Sequence, residues 1–102
     1  MRSVTPREFD ALGPSAALID VREPDELAIV RTERAQPMPM STFLDHLHEL
    51  PGPPIYVLCR TGARSGRVVE YLEQQGYDAV NIEGGIVEWE AVGLPVLRPA
   101  VE

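Results

Sequence analysis

The sequence has no lysine; all nine of its basic residues are arginine, which excludes a Schiff-base or general-base lysine. It has one cysteine, Cys59, so no internal disulfide is available. A lone free thiol suits a reducing compartment, and on that ground the chain is expected in the cytoplasm. No apolar run is long enough to cross a membrane, and Met1–Pro6 lacks the apolar core of a secretion signal. His46 and His48, the only histidines, stand at no zinc-ligand spacing from the cysteine, so no metal or other cofactor is expected. Positive charge is scarce as well. The net charge of −7 argues against nucleic acid and against an anionic membrane as partners.

One further absence is local. From Leu50 to Val69 there is no Asp or Glu, while Arg60, Arg64 and Arg67 all lie there. A positive loop on an acidic body points to a small anionic ligand. At its centre stands Cys59-Arg60-Thr61-Gly62-Ala63-Arg64-Ser65. The apolar run Ile55–Leu58 before it reads as a buried strand, and Gly66 to Gln75 after it reads as an amphipathic helix. The cysteine therefore sits between the carboxyl end of a strand and the amino end of a helix, where open α/β sheets bind ligands. Unpaired N–H groups, the helix dipole and two nearby arginines all favour a thiolate over a thiol.

The remaining periodicity predicts strands alternating with helices, hence an α/β domain with a parallel sheet covered on both faces. Thr5 and Glu8 have capping-box spacing around Pro6, opening a helix that Gly13-Pro14 ends, with Phe9 and Leu12 on its apolar side. Ala16–Ile19 reads as a strand, with Asp20 and Arg22 at its carboxyl end, and Glu23-Pro24-Asp25-Glu26 starts a second helix. Residues 31–35 read as irregular. Pro37 and Pro39 lose N–H donors on the same side of their segment, so Gln36–Met40 is expected to be an edge strand. Ser41 is expected to cap a helix whose apolar stripe is Phe43, Leu44, Leu47 and Leu50. Gly76 ends the helix after the cysteine loop, Ala79–Ile82 is the last strand, and Gly84-Gly85 opens a short helix carrying Ile86 and Trp89. The tail from Val96 has no assigned element.

Leu18–Glu26, the Cys59–Ser65 loop, Gly84-Gly85 with Trp89, and Gly93–Val96 together resemble the rhodanese family of sulfurtransferases. The resemblance runs from about Ser3 to Val96 and leaves a short tail at 97–102. It implies a single rhodanese-like domain with a mainly parallel five-stranded sheet in the order 1-5-4-2-3. It also implies that the Cys59 thiolate takes a sulfane sulfur from thiosulfate or a similar anionic donor. The outer sulfur of the resulting persulfide would pass to a thiol, cyanide or a sulfur-relay partner protein. A sulfur carrier or binding module without turnover is the alternative. The segment Val30–Ala35 departs from the family pattern and keeps only its alanine; Arg31 and Arg34 are expected to be solvated or paired with Glu33 or Glu26, with a reach toward the site mouth as the alternative.

The loop's own chemistry agrees. Backbone N–H groups of residues 60 to 65, including those of Thr61, Gly62 and Ala63, can form an anion nest around the sulfur. Arg64 is expected to bind an oxyanion as a fork and Arg60 to add charge at the rim, with a helix-start salt bridge as the alternative for each. Thr61 and Ser65 are open between hydroxyl donors to the site and, for Ser65, an N-cap. Tyrosine-type phosphatases place Arg six positions after their Cys; here Arg64 follows Cys59 by five, a tighter loop suited to reaction at sulfur. Asp20 and Arg22 are expected to be structural, with Arg22 paired to Glu26 or another acid, and a site-lining role as the alternative. Trp89 is expected in the core, Met38 and Met40 as packing residues beside the edge strand, and His46 and His48 in solvent.

Overall fold

Ile55, Tyr56, Val57 and Leu58 are buried without exception, as a strand covered on both sides requires. In the computed structural model, which describes residues 1–99, they form the centre of the sheet. Five parallel strands, β1 (Arg2–Val4), β2 (Ala17–Asp20), β3 (Ala35–Pro37), β4 (Ile55–Leu58) and β5 (Ala79–Ile82), lie in the order β1-β5-β4-β2-β3. Helices α1 (Pro6–Asp10), α2 (Pro24–Ile29) and α3 (Ala63–Gln74) lie between strands, and α4 (Gly85–Ala91) follows β5. Both the predicted fold class and the strand order are those observed. No helix among the described residues is long and apolar enough to cross a membrane.

Alternation along the strands divides the core. Ile55 and Val57 face a cluster with Ile19, Phe43, Val69 and Leu72; Tyr56 and Leu58 face another with Phe9, Val80, Ile86 and Trp89. Cys59 continues the odd-numbered side of β4 and belongs to the first cluster, beneath α3. Trp89 is fully buried, as expected, and donates its indole N–H to the Pro95 carbonyl at 3.1 Å.

The edge strand behaves as its prolines demand. The N–H groups of Met38 and Met40 donate to the Asp20 and Val21 carbonyls at 2.8 and 2.9 Å, so Pro37 and Pro39 face away from the sheet. The regular ladder begins at Ala35 and ends at Pro37, shorter than the predicted 36–40 span.

Three other expectations are corrected. The segment after Pro39 is a 3-10 helix, Met40–Glu49, kinked at His46, rather than an α-helix capped by Ser41. With three residues per turn, Met40 and Phe43 share one side and Leu44 turns away, 63% exposed; Leu47 and Leu50 rejoin the core beyond the kink. Ser41 instead gives its N–H and hydroxyl to the Glu23 carboxylate. Helix α1 stops at Asp10, leaving Leu12 half exposed beyond it.

The atypical segment is tied down at its back. Arg31 and Leu97 exchange backbone hydrogen bonds at 2.9 and 2.7 Å, so part of the tail is ordered. Arg34 lies over the Phe9 ring at 4.7 Å, donates to the Gly13 carbonyl, and approaches Asp10 rather than Glu33 or Glu26. Ala100–Glu102, the end of the predicted tail, lie outside the described residues.

Candidate active site

Helix α3 begins at Ala63, three residues earlier than its apolar pattern predicts, so only four residues, Cys59 to Gly62, form the loop proper. Ala63, Arg64 and Ser65 are its first turn, whose amides point back toward the cysteine. Gly62 is the N-cap with φ +103°, a conformation that glycine adopts without strain. Ser65 is therefore not the cap. It is fully buried and serves as a hydroxyl donor instead.

Cys59 Sγ accepts the Gly62 N–H at 3.0 Å and the Ser65 hydroxyl at 3.2 Å. Burial pushes the thiol pKa up, but the Ser65 hydroxyl and the amides of Ser65, Gly62 and Thr61 outweigh it, and the net shift is downward. The causes that lower it are hydrogen bonds, where the sequence pointed equally to arginine charge. The thiolate is the alkylating form, so a lowered pKa moves the rise of reactivity to lower pH. The iodoacetamide rate against pH is expected to rise through a midpoint below that of a free cysteine, about 8.5. Ser65→Ala is expected to move it upward. A wild-type midpoint at or above the free-thiol value would contradict this reading of the nest.

The loop can aim its amides at sulfur because its carbonyls are held elsewhere. Those of Cys59 and Arg60 accept from the Ile86 and Val87 amides at 2.9 and 3.2 Å, in the first turn of α4. Gly85 makes this possible, since a Cβ there would lie 2.3 Å from the Arg60 oxygen. The Gly84-Gly85 pair thus opens a helix, as expected, and also lets that helix meet the loop.

Asn81 is the residue that sequence reading missed. It stands opposite Val57 on β5, nearly buried, donates Nδ2 to the Gly62 carbonyl at 3.1 Å and accepts the Ser65 hydroxyl at 2.5 Å. One amide spans both ends of the turn that holds the sulfur. Ser65 has one hydroxyl proton and two acceptors, Asn81 Oδ1 and Cys59 Sγ. The available signal was an asparagine inside a short, otherwise apolar buried strand.

The arginines are placed unequally. Arg64 makes a two-pronged ion pair with Glu26, Nη1 to Oε1 and Nη2 to Oε2, both 2.7 Å. The Arg64 hydrogen bonds hold the Glu26 carboxyl down at about pH 2, against the opposing effect of burial. Arg60 is exposed and makes no ion pair among the described residues; with Arg22, Ile29 and Val87 it borders an open groove of about 390 Å³ between α2 and α4. Thr61 is exposed on the loop. Arg22 pairs with Asp20, not Glu26: Nε and Nη2 reach its carboxylate at 3.1 and 2.9 Å, and Nη2 also donates to the Val30 carbonyl at 2.8 Å. Both side chains are almost wholly buried.

Residues 5–92 match the rhodanese-like domain family. A sulfurtransferase of Allochromatium vinosum is 39% identical over 84 residues, covering 80% of this chain and 78% of that protein. The adenylyltransferase and sulfurtransferase UBA4 of Yarrowia lipolytica is 34% identical over 91 residues, which cover 84% of this chain and 23% of that protein. Among solved structures, a rhodanese-related protein from Thermoplasma volcanium superposes with a TM-score of 0.88 at 31% identity, covering 96% of this chain and 99% of that one.

Proposed function

The chain belongs to the rhodanese-like domain family, and we propose that it is a sulfurtransferase working through a persulfide on Cys59. The observation that carries this reading is the focus of hydrogen-bond donors on one sulfur, from Gly62 and Ser65 directly and from the amino end of α3 around it. Such a nest favours an anion at Sγ and favours equally the anionic outer sulfur of a persulfide. In the first half-reaction the Cys59 thiolate attacks the sulfane sulfur of thiosulfate. The Cys59 S–S bond forms, the bond from sulfane sulfur to the sulfonate sulfur breaks, and sulfite leaves with its electron pair. In the second, cyanide or a thiolate attacks the outer sulfur and the Cys59 thiolate is regenerated. Arg60, Thr61, Gly62, Ala63, Arg64 and Ser65 form the anion-binding loop, with Arg60 the guanidinium open to solvent.

Asp20 and Arg22 support the loop indirectly, as a buried pair at the β2–α2 turn. No cofactor enters this reaction. We place it in the cytoplasm, where a free thiol stays reduced, and assign the activity to a single domain of about residues 3–96. UBA4 carries a similar stretch within a longer protein, and the almost complete burial of Cys59 favours an acceptor that reaches in. A relay protein is therefore the second partner class we propose, beside small thiols and cyanide.

The test is steady-state thiocyanate formation with thiosulfate and cyanide varied together. A persulfide intermediate gives parallel double-reciprocal lines. Intersecting lines, or no turnover above the uncatalysed rate, would overturn the proposal. Persulfide loading without turnover, relieved by an added thiol-bearing protein, would favour the carrier.

A further inference from the structure

The loop carries two arginines, yet a carboxylate from another element occupies the fork of one of them. Glu26 lies in the first turn of α2 and is held there from two directions. Its Oε1 accepts the Glu23 N–H at 3.0 Å in addition to the Arg64 guanidinium. Glu23 in turn is fixed by Ser41 through both carboxylate oxygens. The Glu26 charge is thus fixed in position before any donor arrives. Its side chain and that of Arg64 are about two-thirds buried, where charges are less screened than in open water. The other buried pair nearby, Asp20 with Arg22, is neutral as a unit. Glu26 therefore cancels one of the two loop charges that an incoming anion would meet.

We propose that Glu26 is a specificity-determining residue: by holding Arg64 in a two-pronged ion pair beside the thiolate nest, it disfavours dianionic sulfane donors relative to monoanionic donors of the same reacting sulfur. The assignment rests on the sulfurtransferase reading and deepens it by naming the donor charge that the site accepts. The physical signature is simple. A fixed charge acts on a donor in proportion to the donor's own charge. Removing the Glu26 charge multiplies the capture of a monoanion by some factor, and that of a dianion by the square of that factor.

Thiosulfate and methanethiosulfonate provide the comparison. Both deliver a terminal sulfane sulfur to the Cys59 thiolate; sulfite leaves from the dianion and methanesulfinate from the monoanion. Glu26→Gln removes the charge while keeping an oxygen for the Glu23 N–H. It is expected to raise kcat/KM about tenfold for thiosulfate and about threefold for methanethiosulfonate, through KM, with both gains shrinking as salt rises. The ratio of the two donors is insensitive to any change in the Cys59 thiolate fraction, which affects both alike. Glu26→Asp keeps the charge and is expected to leave the ratio of the two donors within about twofold of wild type.

Equal gains for the two donors, or losses for both, would overturn the assignment. So would a Glu26→Asp variant that shifts the donor ratio as far as Glu26→Gln does. Thermal unfolding of each variant separates these outcomes from loss of the fold. A wild type that gains no sulfur from either donor overturns the sulfurtransferase reading, and the Glu26 assignment falls with it. Sulfur transfer with equal gains overturns the Glu26 assignment alone.

Discussion

Cys59→Ser protein is expected to lose sulfur transfer by on the order of 10³-fold or more while keeping its fold. A serine hydroxyl in the same nest stays protonated at neutral pH, since hydrogen bonds that lower a thiol pKa fall far short of ionising an alcohol. An oxygen nucleophile also offers no persulfide to hand on. The structural cost is small by comparison. Serine is nearly the size of cysteine, and its oxygen can accept the same Gly62 N–H that Sγ now receives at 3.0 Å. Stability is expected to change by about 1 kcal/mol or less. Thiocyanate formation and urea unfolding, measured on the same preparation, separate the two effects. Activity within tenfold of wild type would show that the reacting group is not this sulfur.

Asp20→Ala is expected to do the opposite: it leaves the reacting loop chemically intact and removes the ground beneath it. Asp20 and Arg22 are 1% and 2% exposed. Taking away the carboxylate leaves a guanidinium buried with the Val30 carbonyl as its remaining partner. Such a change costs about 3–5 kcal/mol, a large part of the roughly 5–15 kcal/mol that holds a small domain together. Replacing both residues, Asp20→Leu with Arg22→Met, removes the uncompensated charge and is expected to recover much of the loss. Urea unfolding of the three variants checks the order. A single Asp20→Ala costing under about 1 kcal/mol would mean that the pair is not what holds the turn between β2 and α2. That turn matters for function because it sets where α2 starts, and so where Glu26 stands against Arg64.

These two predictions differ in how far the sequence alone reached them. The position of Cys59 was legible because everything that defines it is local: an apolar run, a cysteine, a glycine and an amphipathic helix in immediate succession. The edge strand was legible because a proline's missing donor is a property of the residue itself, and the sheet has only one place for two of them on the same side. Arg22 was read as paired to Glu26 or another acid. It pairs with Asp20, two positions away, and Glu26 is thereby left to Arg64. The Arg64–Glu26 pair spans 38 positions and has no local signal at all.

The same distance hid Asn81. Its strand was recognised, but its side-chain partners are the Gly62 carbonyl and the Ser65 hydroxyl, which only the packing of β5 beside β4 brings near. The 3-10 segment failed for a different reason. Spacings of three fit both helix types over a short stretch, and only the exposure of Leu44 distinguishes them. Arginine charge was legible as composition, whereas the hydrogen bonds that lower the Cys59 pKa depend on where α3 starts. That start lies three residues before its apolar face does.

The central claim is that one sulfur atom resides on Cys59 between two half-reactions. Intact mass measured after incubation with thiosulfate, and again after adding a thiol, tests it most directly. The account predicts a gain of one sulfur atom, located on the peptide that contains Cys59, absent in Cys59→Ser and removed by the thiol with the original mass restored. An unchanged mass after thiosulfate, or a gain that persists in Cys59→Ser, would contradict it.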